Sequence, residues 1–430
     1  MPGSAVPHAR HVVLATIGSL GDLHPMIALG LELERRGHRA SIATTEAYRQ
    51  KIVATGLAFH PLRPDLAPDD PELARQVMDL KKGPEFIIRE LFMPHLAEMY
   101  ADLESIAVNA DYLVAGELVF PAPLLAEKYR RRWASVILSP LSFFSICDPS
   151  VIAPLPFARQ VQRAPGWVQR LILALGKRMG KSWCKPVKDL RGELGLSAGG
   201  DPLFEDKFSP SLNLALFSPL LAVPQPDWPP NTLQTGFVFY DKQEHEASEL
   251  DAVRAFMAAG KAPVVFTLGS AAVLDAGLFY EQSAEAAEKL NRRALLLVGK
   301  NLPRRALPPQ IAAFGYAPFS EILPQAACVV HQGGVGTTAQ VLRAGVPQLV
   351  MPYGFDQPDN AARMERAGVA LTIARRDYTA ERACALLTQL LADPGYARRA
   401  AELAQRLRAE DGLTRACDAI EAQMRLGGPL

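Results

Sequence analysis

The 430-residue sequence has little cysteine, no excess of either charge and no long apolar run, and each absence narrows what the chain can be. Its five cysteines (Cys147, Cys184, Cys328, Cys384 and Cys417) are odd in number, widely scattered and never spaced Cys-x-x-Cys. Neither a disulfide framework nor a zinc site is therefore indicated. A net charge of +1 gives the whole molecule no electrostatic reason to bind nucleic acid. No apolar stretch approaches the roughly 18–20 residues needed to cross a bilayer, and residues 1–10 lack the apolar centre of a signal peptide. The expectation is a cytoplasmic protein. With 49% hydrophobic and 21% charged residues, the composition is that of a globular chain long enough for more than one domain.

What is present is an α/β pattern that occurs twice. The run His11-Val-Val-Leu-Ala-Thr-Ile17 is continuously apolar and ends in glycine, as a strand buried on both faces of a parallel sheet does. The loop Gly18-Ser-Leu-Gly-Asp-Leu-His-Pro25 follows, then helical spacing over residues 26–36 closed by Gly37, then a strand at 39–44. Strand–loop–helix–strand is the opening unit of a doubly wound sheet, and apolar runs at 112–115 and 134–138 continue it. Residues 217–236 hold Pro219, Pro224, Pro226, Pro229 and Pro230, which oppose both helix and central strand. Beyond them the pattern restarts with Pro263-Val-Val-Phe-Thr-Leu-Gly-Ser270, strands at 294–298, 328–331 and 348–351, and a helix at 337–344. The predicted organisation is an N-terminal domain over residues 1–218, a linker at 219–236, a second domain over 237–410, and a last helix at 411–430 returning to the first domain. Ligands of such sheets bind at the carboxyl ends of the strands.

The loop His331-Gln-Gly-Gly-Val-Gly-Thr-Thr338 lies between a strand and a helix. Glycines there let backbone approach an anion, and the helix N-terminus supplies free amides and a positive dipole. The spacing is neither that of a lysine-ended phosphate loop nor that of the usual dinucleotide fingerprint. His331 either donates to a phosphate oxygen or is a buried histidine satisfied within the protein. Downstream, Phe355-Asp-Gln-Pro-Asp-Asn360 is rich in carboxylates and amides, which bond vicinal hydroxyls in a plane. A phosphate cradle followed by a hydroxyl-binding loop suits a sugar joined to a diphosphate.

The segments Tyr316-Ala-Pro-Phe-Ser-Glu-Ile-Leu-Pro324, His331 to Thr338, Arg343-Ala-Gly-Val-Pro-Gln348 and Asp356-Gln-Pro-Asp-Asn360 together resemble the donor-binding signature of the inverting UDP-glycosyltransferase superfamily. The loop at 18–25 looks like that of its bacterial and sterol-type branches, which include antibiotic-tailoring and rhamnolipid-forming enzymes. The resemblance spans nearly the whole chain and is weakest over residues 65–230. It implies the GT-B fold, two doubly wound parallel-sheet (Rossmann-like) domains facing across a cleft. It implies that His331 and the amides after Gly333 (Gly334, Gly336, Thr337) bind the diphosphate with Gly269, Ser270 and Ser19. Tyr316 would face the base, and Asp356 with Gln357 would meet the sugar. Plant members carry a glutamate for the ribose near the position of Gln340; a glutamine there leaves both UDP- and dTDP-sugars open.

Glycosyl transfer with inversion needs a base for the acceptor hydroxyl. The resemblance places Asp22 at that role; its other reading is an N-cap for a helix starting near Pro25. His24 is the rival base, with the better intrinsic pKa but the wrong register. Glu117, at a strand end, is either a second acid that raises the pKa of Asp22 or a solvated surface charge. Asp69-Asp70, flanked by prolines, reads as a solvated turn, and no metal site is expected. No cofactor is expected beyond the nucleotide-sugar co-substrate. Two other readings stay open: a nucleotide-sugar epimerase of the same fold, and a nucleotide-sugar-binding subunit that needs a partner.

The acceptor side is the least legible. Residues 86–99 and 141–144 carry bulky apolar groups that read as core or as pocket. Residues 151–195 hold nine cations against two acids, with a bulky apolar stretch at 167–175. The first expectation is an amphipathic helix packed on the domain by its apolar face, with the basic face solvated. The other is peripheral contact of the basic segment 159–191 with an anionic (inner) membrane that delivers a hydrophobic acceptor.

Overall fold

The computed structural model describes residues 9–67, 70–152, 157–241, 247–270, 272–301 and 305–426. Residues 1–8, Asp69 and the last four residues, on which expectations above bear in part, lie outside them. The strands form two parallel sheets. The first contains β1 (His11–Ala15), β2 (Arg39–Thr44), β3 (Ala58–Pro61), β4 (Tyr112–Gly116), β5 (Trp133–Ile137), β6 (Leu212–Ala215) and β7 (Thr232–Gln234) in the order β3-β2-β1-β4-β5-β6-β7. The second contains β8 (Val264–Thr267), β9 (Ala294–Leu297), β10 (Ile311–Phe314), β11 (Cys328–His331), β12 (Gln348–Val350) and β13 (Ala370–Thr372) in the order β10-β9-β8-β11-β12-β13.

Both sheets are covered on both faces, which is why their central strands are apolar throughout. Alternate residues of β1 enter different cores: Val12 and Leu14 join one cluster with Leu23, Ile27 and Ile42, while Val13 and Ala15 join another with Phe92, Leu96 and Trp133. Val264 and Phe266 of β8 likewise part from Val265.

Five helices matter below: α1 (Leu20–Arg35), α2 (Gly166–Trp183), α3 (Val335–Ala344), α4 (Gln357–Arg366) and α5 (Gly412–Leu426). The helix expected near Pro25 starts earlier, at Leu20. Ser19 caps it and Asp22 completes a capping box, so nucleation precedes the proline, which merely lacks one donor in the second turn. The proline-rich segment expected to link the domains contributes β7, paired parallel to β6. Its prolines flank rather than interrupt that edge strand. In α5, Cys417, Ile420 and Met424 pack against Leu29 and Leu33 of the first half, and Arg36 pairs with Asp418 at 2.6 Å. A further core joins the two halves, with Ile137, Phe217 and Leu221 against Leu342, Val350 and Met364. A buried ion network crosses the same boundary: Arg363 binds Asp359 (2.7 Å) and Asp148, and Asp359 accepts the amide of Val151 at 2.9 Å.

Candidate active site

Each sheet reverses its winding once, between β1 and β4 and between β8 and β11. Four loops leave the strand ends at those two points: Gly18-Ser19, Glu117, Gly269-Ser270 and residues 332–334. Crevices at such reversals are where open α/β sheets bind ligands, and these loops carry most of the residues singled out in the sequence.

Asp22 is held by the start of α1. The Ser19 amide donates to its Oδ2 at 2.8 Å and the Ser19 hydroxyl at 3.1 Å, leaving Oδ1 to take a proton. Gly18 makes room: at its φ of +147° a Cβ would lie 2.4 Å from Asp22 Oδ2. Burial pushes the Asp22 carboxyl up to about 6 against the lowering effect of the Ser19 bonds, and the charge of Glu117 pushes it the same way. Glu117 is ion-paired to the buried Lys207 at 2.6 Å, so it is a structured acid beside Asp22 rather than a solvated surface charge. Ser19, expected among the donor ligands, is used to orient Asp22. His24 is pushed down to about 4 by burial, its Nε2 is buried without a partner among the described residues, and its ring lies 5.3 Å from that of Tyr240. An imidazole so acidic is a weak base near neutrality.

Across the cleft, His331 is fully buried and both ring nitrogens are engaged within the protein. Nε2 meets Gln348 Oε1 at 2.9 Å, and Nδ1 accepts the Gly333 amide at 3.0 Å. Burial pushes its pKa down to about 4, so the ring is neutral. Of the two readings left open for this residue, the structure shows the buried ring satisfied within the protein, where it shapes the loop by accepting the Gly333 amide. Gly333 has φ +88°, and a Cβ there would lie 2.7 Å from Val350. Gly334 caps α3, whose first-turn amides, those of Val335, Gly336 and Thr337, have no intrahelical partner and face the crevice end. Gly336 is exposed, and Thr337 is buried.

Asp356 is tied to this loop by Asn360, whose Nδ2 donates to Asp356 Oδ2 (2.8 Å) and to the Gly333 carbonyl (3.0 Å). Burial pushes Asp356 up to about 7, opposed by the Asn360 bond, and the charges of Asp22 and Asp359 add to the rise. The two carboxylates are thus within electrostatic reach across the cleft. Gln357 takes the Tyr353 (2.8 Å) and Gly354 (3.2 Å) amides on Oε1, which leaves its NH2 group for a ligand.

Two partners, Gln332 and Asp241, escaped the sequence, whereas Thr338 lies in the glycine loop already singled out. Gln332 is buried with Oε1 unpaired among the described residues, and its amide lies where a Cβ on Gly269 (2.2 Å) or Gly334 (2.9 Å) would fall, so it bridges the two glycine loops. Thr338, beside the expected Thr337, buries a hydroxyl that is likewise unpaired. Asp241 accepts from Gln340 Nε2 at 2.8 Å; burial raises its pKa, and its charge reaches Tyr316, which stacks 6.4 Å from Phe319. Gln332 shows in sequence only as a polar residue inside a glycine loop, and Asp241 gives no local signal. Ser270 is exposed at the rim.

Comparison with known proteins agrees with this fold. Residues 12–116 match the glycosyltransferase family 28 N-terminal domain, and residues 295–421 match the erythromycin biosynthesis protein CIII-like C-terminal domain. The chain is 32% identical over 432 residues to the O-mycaminosyltylonolide 6-deoxyallosyltransferase of Streptomyces fradiae, covering 95% of this chain and 96% of that protein. Among solved structures, the glycosyltransferase of kitacinnamycin superposes with a TM-score of 0.69 at 24% identity over 97% of this chain and 100% of that one. The spinosyn rhamnosyltransferase SpnG complexed with thymidine diphosphate does so at 0.67 and 18% identity, over 96% and 100%.

Proposed function

The chain belongs to the UDP-glycosyltransferase superfamily and is a glycosyltransferase of GT-B fold, and we propose that it moves a hexosyl group, with inversion and without a metal ion, from a nucleotide-diphosphate sugar to a hydroxyl of a hydrophobic acceptor. The observation that carries this reading is the placing of an acid on each half: Asp22 is held through Oδ2 by Ser19, and Asp356 is tied through Asn360 to Gly333 of the glycine loop. One carboxylate stands at an acceptor-side loop with a free oxygen, and the other is fixed to the anion-binding loop.

In this reaction the acceptor O–H gives its proton to Asp22 Oδ1 as its oxygen attacks the anomeric carbon. The bond from that carbon to the diphosphate breaks, and the electron pair leaves on phosphate oxygen. The first-turn amides of α3 stabilise that charge. Asp22 is matched to the task because its raised pKa makes it a stronger base than an ordinary aspartate while leaving it largely ionised at neutral pH. Asp356 and the Gln357 amide hold the sugar hydroxyls.

The favoured donor is a thymidine-diphosphate 6-deoxyhexose. Gln340 is occupied by Asp241, which suits a nucleoside lacking one ribose hydroxyl, and the relatives named above include a 6-deoxyallosyltransferase and a protein holding thymidine diphosphate. UDP-glucose is the other donor class. Support for a hydrophobic acceptor comes from the aromatic wall around Lys207, whose ammonium lies 5.2 Å from the Phe144 ring and 5.0 Å from that of Phe208. A thermal-shift series with dTDP, UDP and their hexoses tests the donor, since a ligand raises apparent stability by mass action. A larger shift with the dTDP compounds is expected, and a larger shift with UDP-glucose would overturn the donor assignment.

A further inference from the structure

The helix α2 leaves an apolar stripe uncovered, which the ordinary amphipathic arrangement would bury. Trp167, Leu171, Leu175 and Met179 are 66%, 53%, 52% and 63% exposed, and they recur every four residues along one face. Side chains at that spacing stack above one another on a helix surface, here over about 18 Å. Phe157, 76% exposed, lies just before the helix. The face turned to the protein carries the half-buried Val168, Ile172, Leu173 and Trp183 together with small and polar groups: Gln169 is buried, and a Cβ on Gly180 would lie 3.2 Å from Leu203 and one on Gly176 3.7 Å from Phe204. The sequence expectation that the apolar face packs on the domain therefore holds for only part of the helix's apolar surface, and the Trp167–Met179 stripe departs from it.

The charges on this element are of one sign. The sequence Gly166–Trp183 contains no acid. Exposed Arg170, Arg178 and Lys181 on the helix and Arg163 just before it form no ion pair with any described acid, whereas Lys177 and, beyond the helix end, Lys185 are paired to Glu205 and Asp189. An apolar stripe of this size on a monomer marks an interaction surface. An isologous dimer through it would set these cations against their own copies. A partner that supplies both an apolar interior and negative charge satisfies the stripe and its rim together.

We propose that α2 is a docking surface for an anionic lipid bilayer, with Trp167, Leu171, Leu175 and Met179 entering the interface and Arg163, Arg170, Arg178 and Lys181 meeting lipid phosphates. The inner side of the helix leads to the active site: a Cβ on Gly176 would lie 3.7 Å from Phe204, Phe204 lies 4.7 Å from the ring of Phe144, and Phe144 faces Lys207, the partner of Glu117. Docking there sets the acceptor half of the cleft against the membrane.

Co-sedimentation of the full chain with vesicles is the direct test. Phosphatidylglycerol mixed with phosphatidylcholine should bind at least about ten-fold more protein than phosphatidylcholine alone, less so as salt rises. Trp167 fluorescence should shift to the blue on binding. Leu171→Ser with Leu175→Ser should weaken binding about ten-fold, as should Arg170→Ala with Arg178→Ala, while circular dichroism and the dTDP thermal shift stay unchanged. Equal binding to neutral and anionic vesicles, or none to either, would overturn the proposal. So would a dimer in sedimentation velocity that Leu171→Ser dissolves. Vesicle binding should survive Asp22→Asn, so its failure and failure of the transferase reading are separable.

Discussion

At the scale of single residues, the site works by setting pKa values against one another. Glu117 raises the pKa of Asp22, and Lys207 partly neutralises Glu117. Asp22 must be ionised to accept a proton, so kcat/KM should climb through about pH 6 and level off above it. Glu117→Gln removes a repelling charge and should move this limb to lower pH. Lys207→Met leaves Glu117 uncompensated and should move it to higher pH, each by about half a unit. A pH–rate profile that stays fixed in both variants would detach Glu117 from the base. The same scale decides the role of His331. Its ring satisfies Gln348 and the Gly333 amide, so His331→Ala strands two buried polar groups at a cost of about 2–4 kcal/mol. It should lower Tm even without donor, whereas a ring that only touched phosphate would leave the free protein's Tm unchanged.

At the scale of elements, what the sequence disclosed follows from burial. β2 and β11 have the expected limits, and β1, β4, β5, β8, β9 and β12 lie within a residue or two of theirs, because strands covered on both faces are apolar throughout. β3 (Ala-Phe-His-Pro), β7 (Thr-Leu-Gln) and β13 (Ala-Leu-Thr) had no such signature: they are three or four residues long, at or near sheet edges, and partly polar. The start of α1 was masked by Pro25, although Ser19 and Asp22 carry the capping box. For α2 the periodicity revealed an apolar face but not its direction, since nothing in a helix's own sequence says which side its neighbours cover. The site divides in the same way. Asp22, the glycine loop and Asp356-Gln357 are local motifs, while Asp241 meets Gln340 across 99 positions and Lys207 meets Glu117 across 90.

At the scale of the whole molecule, two sheets of like winding meet through a shared core and a buried ion network, and the cleft lies between their points of reversal. Arg363 is the joint of that network: it holds Asp359, which is fully buried and accepts the Val151 amide from the other half, and it reaches Asp148. Arg363→Met leaves Asp359 charged and unpaired, a cost of about 3–5 kcal/mol. Thermal unfolding should show a clear fall in Tm, and adding Asp359→Asn should recover part of it, because the two changes act on one interaction. An unchanged Tm would remove the network from the account of how the halves are held.

The assignment of Asp22 as the base is tested most directly by single-turnover transfer with Asp22→Asn, followed beside nucleotide binding and thermal unfolding. Asparagine can keep the Ser19 bonds but cannot take the proton. Because Asp22 has its pKa raised in the folded protein, its contribution to stability is complete below about pH 4 and is lost as pH rises through about 6. The variant should therefore bind dTDP within about two-fold of the parent and unfold at pH 8 no earlier than it. Transfer to a hydrophobic alcohol should meanwhile fall by about 10²–10⁴. Transfer at the parental rate by a variant that binds nucleotide normally would contradict the account at its centre.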